Sequence, residues 1–530
     1  MILNAKGLTD GAVLEADICI VGAGPAGITA ALELAKASGL KILLLESGGT
    51  YLEDETQDLY AGPNLGRPYE PLDQARLRFL GGSSNHWAGN CMRLTPVDFE
   101  ERDWMPGSGW PISYDDIAPY YDLAAPYVQI QEDRPFDFSY WARKIEGQPV
   151  DWNPDIFENT VSCSSPPTPF GIEYEQDLER AANISVVLYA NVLEIETNET
   201  ASEVTGLRVV CIDGPRFRVR AKSYVLAQGG IEVARLLLLS DRVIPQGLGN
   251  AQDQVGRYFT DHVGIRPALW IWPDQKVDRF KLYEGPTYLD VGGFWGTVAS
   301  SNDLRRRESI GGFTFYFMQT SNSPGYRSAQ TIVRSLKKGD FPPYLSSHVM
   351  NIFSDLDGMT NKVYDVVTDK GALIDRSWLA PWLNIECVPN PDSRVRLVDE
   401  QDRLGQRRIG MDWKLTEQDL NTVKRATELM AQEIGRMGLG RVWTEALRDD
   451  YDWPGSFGLG KHACSTTRMS ETPKTGVVDR NCRVHGVANL FVASSSVFRT
   501  SSFAQPTLSI VAFSIRLADH LKQLHKAGQP

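Results

Sequence analysis

Apolar and polar positions follow one another with two periods along this chain, and their order marks a strand–helix–strand start. Asp17-Ile18-Cys19-Ile20-Val21 is a short apolar run, the pattern of a strand covered on both faces. Ile28 to Ala37 is rich in Ala and Leu at helical spacing, and Leu40-Lys41-Ile42-Leu43-Leu44-Leu45-Glu46 is a second apolar run that ends in an acid. Ser185–Tyr189, Val192–Ile195 and Tyr224–Ala227 read as further strands, and Gln228-Gly229-Gly230 as a turn into a helix over Ile231–Leu239. Arg394 to Val398 alternates as a strand of an antiparallel sheet does. Thr416 to Met437 predicts a helix, with Thr416 as N-cap and Gly438 as stop, and Pro506 opens a last helix to about Leu521. Residues 321 to 344 mix Gly, Pro, Ser and basic residues, which predicts a surface excursion and a candidate lid. The expected fold is α/β: a Rossmann-like dinucleotide-binding domain with an interleaved α+β substrate domain built on an antiparallel sheet. The first domain takes about 1–100, 185–265 and 460–530, and the second about 101–184 and 266–459.

Composition narrows the function classes. With 54 basic and 67 acidic residues the chain carries a net charge of -13, which repels polyanions on average, so no nucleic-acid partner is expected. No window approaches a membrane-spanning apolar length, and the first residues lack the basic-then-apolar pattern of a secretory signal. Seven scattered cysteines without a C-x-x-C pair read as reduced thiols, and a cytoplasmic location is the expectation. His, Asp and Glu show no metal-ligand spacing, so no metal is expected, and no G-x-S-x-G suggests a serine hydrolase.

The strand ending at Val21 runs into Gly22-Ala23-Gly24-Pro25-Ala26-Gly27, a G-x-G-x-x-G. Gly22 permits the tight turn, Gly24 lets a pyrophosphate approach the backbone, and Gly27 lets the helix pack closely on the strand. The helix N-terminus offers unpaired N–H groups to the phosphates. Glu46, at the end of the second strand, suits ribose hydroxyls and disfavours a 2′-phosphate. This motif alone does not choose between NAD and FAD.

Later segments carry a resemblance. Phe79-Leu80-Gly81-Gly82-Ser83-Ser84-Asn85-His86-Trp87, Trp110-Pro111-Ile112-Ser113-Tyr114, and Gln254-Val255-Gly256-Arg257 with Asp261-His262 resemble landmarks of the glucose–methanol–choline (GMC) oxidoreductases. So does the C-terminal block from His462-Ala463-Cys464-Ser465-Thr466-Thr467-Arg468 through Leu490-Phe491-Val492 to Arg499-Thr500 and Gln505-Pro506-Thr507. Within that family the chain looks most like the pyranose oxidase and glycoside 3-oxidase branch. The resemblance implies an FAD cofactor contacted by Gly81, Gly82, Ser83, Asn85, His86, Trp87, Val192, Ser494, Pro506 and Thr507. It implies a catalytic pair at His462 and Gln505, and a last helix whose N-terminus faces the flavin. His86 corresponds to a histidine that bonds covalently to the flavin 8α-methyl in some pyranose oxidases; other members bind FAD without that bond. The second member of the pair is usually Asn or His, and here it is Gln505. The acid common after the Leu-Phe-Val strand is replaced by Ala493-Ser494-Ser495. His262 reads as structural, and His348, His485, His520 and His525 as surface or packing residues.

Oxidising a carbinol removes a proton from oxygen and a hydride from carbon. An imidazole, with an ordinary pKa near 6.5, suits the proton; an amide such as Gln505 can orient a hydroxyl but takes no proton. The expected function is therefore FAD-dependent oxidation of a secondary hydroxyl of a sugar or glycoside, at C3 or C2, with His462 as base. Alternatives are a primary alcohol such as the exocyclic hydroxymethyl of an amino sugar, a redox-silent flavoprotein lyase, and an NAD-linked dehydrogenase. The electron acceptor is oxygen, a quinone or another carrier.

Overall fold

The first apolar run becomes the middle of a sheet. In the computed structural model, Val13–Val21 pairs in parallel with Ile42–Leu45 on one side and with Arg216–Leu226 on the other. The structure describes all residues except 38, 266–268, 274–279, 290–291, 321–323, 338, 343–344, 357–358, 361–377, 445–456 and 530. Among the described residues this sheet has eight strands, in the order Ile2–Asn4, Ile184–Leu188, Ile42–Leu45, Val13–Val21, Arg216–Leu226, Val204–Val210 and Asn191–Thr197, with Leu490–Val492 also paired to Arg216–Leu226. Its first half is parallel and its Asn191–Arg216 end is an antiparallel meander. The parallel strands are buried along their apolar runs, as covering on both faces requires. Helix Pro25–Ala35 follows the glycine turn and packs against the last helix, Pro506–Lys526.

A second sheet, of ten strands among the described residues, has its backbone in Gly440–Thr444, Leu269–Pro273, Trp378–Ile385, Phe313–Thr320, Gly292–Ser300, Phe157–Ser164 and Asn90–Cys91, paired antiparallel. It also draws in Val263–Ile265, paired to Trp378–Ile385 and to Phe457–Leu459. Asn90–Cys91 and Val263–Ile265 thus join this sheet although their flanking sequence feeds the first. The molecule is an α/β protein with a Rossmann-like sheet and an antiparallel substrate-side sheet, as the apolar patterns predict.

Helix Glu417–Arg436 is capped by Thr416, whose side chain accepts from Asp419 N–H while Asp419 returns a bond to the Thr416 N–H. Arg394–Gln401 forms its own two-stranded ribbon with Arg407–Asp412. The stretch expected to be a loop from 321 to 344 is instead largely helix Pro324–Lys337, packed on helix Leu345–Ser354. Ser328 Oγ bonds Asn351 Nδ2 and His348 Nδ1 across the pair. Pro324 stands in the first turn, where proline starts a helix rather than breaking one.

Candidate active site

A cavity of about 620 Å³ lies where Val21, Leu45 and Ala227 end, the position at which open parallel sheets bind ligands. Of the residues singled out from sequence, Gly22, Gly24, Glu46, Gly82, Ser83, His86, Trp87, Val192, Ser494, Pro506, Thr507, His462 and Gln505 all line it. Gly27, Gly81 and Asn85 stand behind the wall. A Cβ on Gly27 would lie 1.9 Å from the Gly22 carbonyl oxygen, so its role is close packing of helix on strand. Asn85 Nδ2 donates to the Leu80 and Gly82 carbonyls at 3.0 and 2.9 Å and staples its own loop.

The dinucleotide end meets the demands of its ligand. Gly22 has φ +102°, and a Cβ there would sit 2.8 Å from the Ala227 carbonyl oxygen. At Gly24, by contrast, a Cβ would meet nothing within 4 Å, so the backbone faces an open cradle. The N-terminus of helix Pro25–Ala35 has no side-chain cap and turns its N–H groups on that cradle. Buried Glu46 accepts from the Ala23 and Gly48 N–H groups at 3.0 and 2.9 Å, with acceptor capacity left for hydroxyls. An uncapped helix end, an open glycine turn and a carboxylate at one end of the cavity fit the pyrophosphate and ribose of FAD.

The chemical end is assembled from distant segments. Phe457–Leu459 runs antiparallel to Val263–Ile265, and Thr260 bridges Cys464 further along. Between these pairs residues 460–463 face only 261 and 262, so the chain bulges, with Lys461 left-handed at φ 59°. The bulge aims His462 at the cavity. Its backbone N–H donates to Asp261 Oδ1 at 2.7 Å, and its Nδ1 lies 2.9 Å from His262 Nδ1, the two rings edge-to-face at 82°. Burial holds the His462 pKa well below the usual imidazole value, and a second proton on the adjacent His262 would lower it further. Burial pushes the Asp261 carboxyl up to about 6, against hydrogen bonds from Tyr69 and the His462 N–H. Burial, then the charge of Lys461, lowers His86.

Gln505 is buried; its Nε2 donates to Tyr316 OH at 2.6 Å, whereas its Oε1 has no hydrogen-bond partner. Its carbonyl is therefore an acceptor in need of a donor, beside a cavity that Trp382 and Asn384 also line. Trp382 Nε1 donates to Asn384 Oδ1 at 2.7 Å, which leaves the indole as a wall. Tyr316, Trp382, Asn384 and the contact of His262 with His462 carry no local motif. A partner separated by two hundred residues is signalled only by pairing in the fold.

A family model described as GMC oxidoreductase matches residues 389–514, and one described as the Thi4 family matches residues 7–51, the glycine-turn region. The large subunit of fructose dehydrogenase of Gluconobacter japonicus is 24% identical over 97% of this chain and 99% of that protein. Dehydrogenase str4 of Strobilurus tenacellus is 41% identical over 96% of this chain and 94% of that protein. Formate oxidase of Aspergillus oryzae, a structure solved in a study of FAD modification, superposes with a TM-score of 0.57 at 17% identity, over 98% of this chain and 100% of that one. Fold, cofactor cradle and sequence relatives agree: the chain belongs to the glucose–methanol–choline (GMC) family of FAD-dependent oxidoreductases.

Proposed function

We propose that this chain oxidises a secondary hydroxyl of a sugar or glycoside, at C3 or C2, with His462 as the base. One observation carries the reading: an imidazole held neutral by burial and an amide oxygen without a partner line the same cavity as the dinucleotide cradle. FAD bound along the cavity would supply the hydride acceptor. His462 takes the hydroxyl proton at Nε2, the ring nitrogen not engaged by His262. Gln505 accepts from a substrate hydroxyl through Oε1, its amide held by Tyr316. The Trp382 indole offers an apolar face of the kind that sugar rings stack on. The uncapped N-terminus of helix Pro506–Lys526 directs partial positive charge into the cavity. The sequence relation to a fructose dehydrogenase subunit is consistent with a sugar substrate. Electrons then pass to oxygen, a quinone or another carrier.

Anaerobic mixing with sugars, glycosides and primary alcohols tests the substrate: a secondary sugar hydroxyl should bleach the flavin, and bleaching by primary alcohols alone overturns the sugar reading. His462→Ala should retain FAD and slow flavin reduction by about 10²–10⁴-fold, the span of one acid–base group; reduction at the wild-type rate removes the base assignment. Acid precipitation separates the two modes of attachment that His86 admits. A yellow pellet marks a covalent flavin, and a colourless pellet under a yellow supernatant marks a non-covalent one.

A further inference from the structure

We infer that His262 is a positioning residue: it holds His462 in the tautomer with its proton on Nδ1, which leaves the Nε2 lone pair free at the cavity. The inference rests on His462 being the base, as proposed above.

The direction of the hydrogen-bond chain follows from its end. His262 Nε2 lies 3.0 Å from the Ser501 carbonyl oxygen, which can only accept. His262 Nε2 therefore carries a proton, and a neutral imidazole has one, so His262 Nδ1 is a lone pair. That lone pair faces His462 Nδ1 at 2.9 Å, and the bond exists only if His462 Nδ1 donates. His462 Nε2 is then bare, and no described residue is hydrogen-bonded to it.

The reverse arrangement needs a doubly protonated His262. That cation would sit at 0% exposure with no free carboxylate to balance it among the described residues. Glu386 is engaged by Arg102 and Arg305. Asp261 is engaged by Tyr69 OH and the His462 N–H, and Lys461 is paired with Glu70. Burial lowers the His262 pKa, opposed by its bond to Ser501, in the same direction.

The arrangement also serves the protonated state. When His462 gains a proton at Nε2, its Nδ1–H already points at an acceptor, so no ring flip is needed and the existing bond becomes charge-assisted. A base oriented by a third group is the logic of catalytic triads, built here from a carbonyl and two imidazoles. Ser501 lies four residues before Gln505 in the same loop, so one segment sets both the base's tautomer and the amide.

The test uses holoenzyme labelled with 15N-histidine. In the wild type, the His462 ring should show one tautomer, protonated on Nδ1; a proton on Nε2 overturns the inference. His262→Leu should release His462 to a mixture of tautomers and slow flavin reduction at saturating substrate by about 10–100-fold, the scale at which losing the partner that orients a metal-bound histidine acts. The substrate concentration for half-saturation should barely move. His262→Asn, whose Oδ1 can replace the acceptor, should recover most of the rate and the single tautomer. Wild-type reduction by His262→Leu also overturns the inference. The spectrum needs no substrate: if no carbinol bleaches the flavin, the functional reading fails while the tautomer of His462 is still decided.

Discussion

At the residue scale, the proposed chemistry turns on the protonation of one ring. Burial depresses the His462 pKa, so the neutral base persists below the ordinary imidazole value near 6.5. Flavin reduction by substrate should therefore stay level as pH falls from 8 through about 6.5, and decline only at lower pH. A midpoint at or above about 6.5, assigned to His462 by its loss in His462→Ala, contradicts the buried-base account. The pair His462 and Gln505 was legible because each sits in a recognisable local string. His262 also sits in a family landmark, after an acid, and read as structural; its contact with His462 was not legible, because nothing beside it in the sequence signals a ring contributed from position 462.

At the scale of elements, the strand–turn–helix unit was legible nearly to the residue. Its contacts, Gly22 with Gly27 and Glu46 with Ala23, close within a few dozen positions. Two of its glycines have separable duties. Gly24→Val places its side chain in open space, so the chain should fold with an unchanged apo melting temperature and lose FAD. Gly27→Val drives its Cβ into the Gly22 carbonyl, so flavin content and apo melting temperature should both fall. Flavin absorbance per protein and thermal melts of flavin-free samples check both, and equal apo stability of the two variants contradicts the distinction. The helix Pro324–Lys337 was missed for a local reason. Gly, Pro and Ser in its first turns resemble a loop, and its pairing with Leu345–Ser354 is what favours the helix. Val333 and Leu336 remain 50% and 54% exposed on that helix.

At the scale of the molecule, a buried ion cluster joins segments that lie far apart. Glu386, at 0% exposure, takes two bonds from Arg102 at 2.8 and 2.7 Å and one from Arg305 at 2.8 Å. Asp98 also pairs with Arg305. Burial alone would raise the Glu386 carboxyl; the Arg102 and Arg305 charges outweigh it and hold its pKa well below the usual carboxylate range. A depressed acid contributes stability that is present above its unfolded pKa, near 4.3, and is lost as pH falls through the folded value. Glu386→Gln leaves two buried guanidiniums undercompensated and should cost about 3–5 kcal/mol in denaturant unfolding at neutral pH. It should also flatten the decline in stability between about pH 4.3 and lower pH. A loss under about 1 kcal/mol means the cluster relaxes or is solvated.

The sequence by itself determined the dinucleotide-binding unit, the Rossmann-like fold class and the strings that bring His462 and Gln505 to one cavity. Those depend on interactions between near neighbours, or on short strings whose chemistry is local. The tertiary structure alone decided the His262–His462–Ser501 chain, the Tyr316 hold on Gln505, the Trp382 wall and the Glu386 cluster. Each of these joins strands or loops through long-range pairing, and a single sequence carries no signal for which distant polar group will satisfy a buried one.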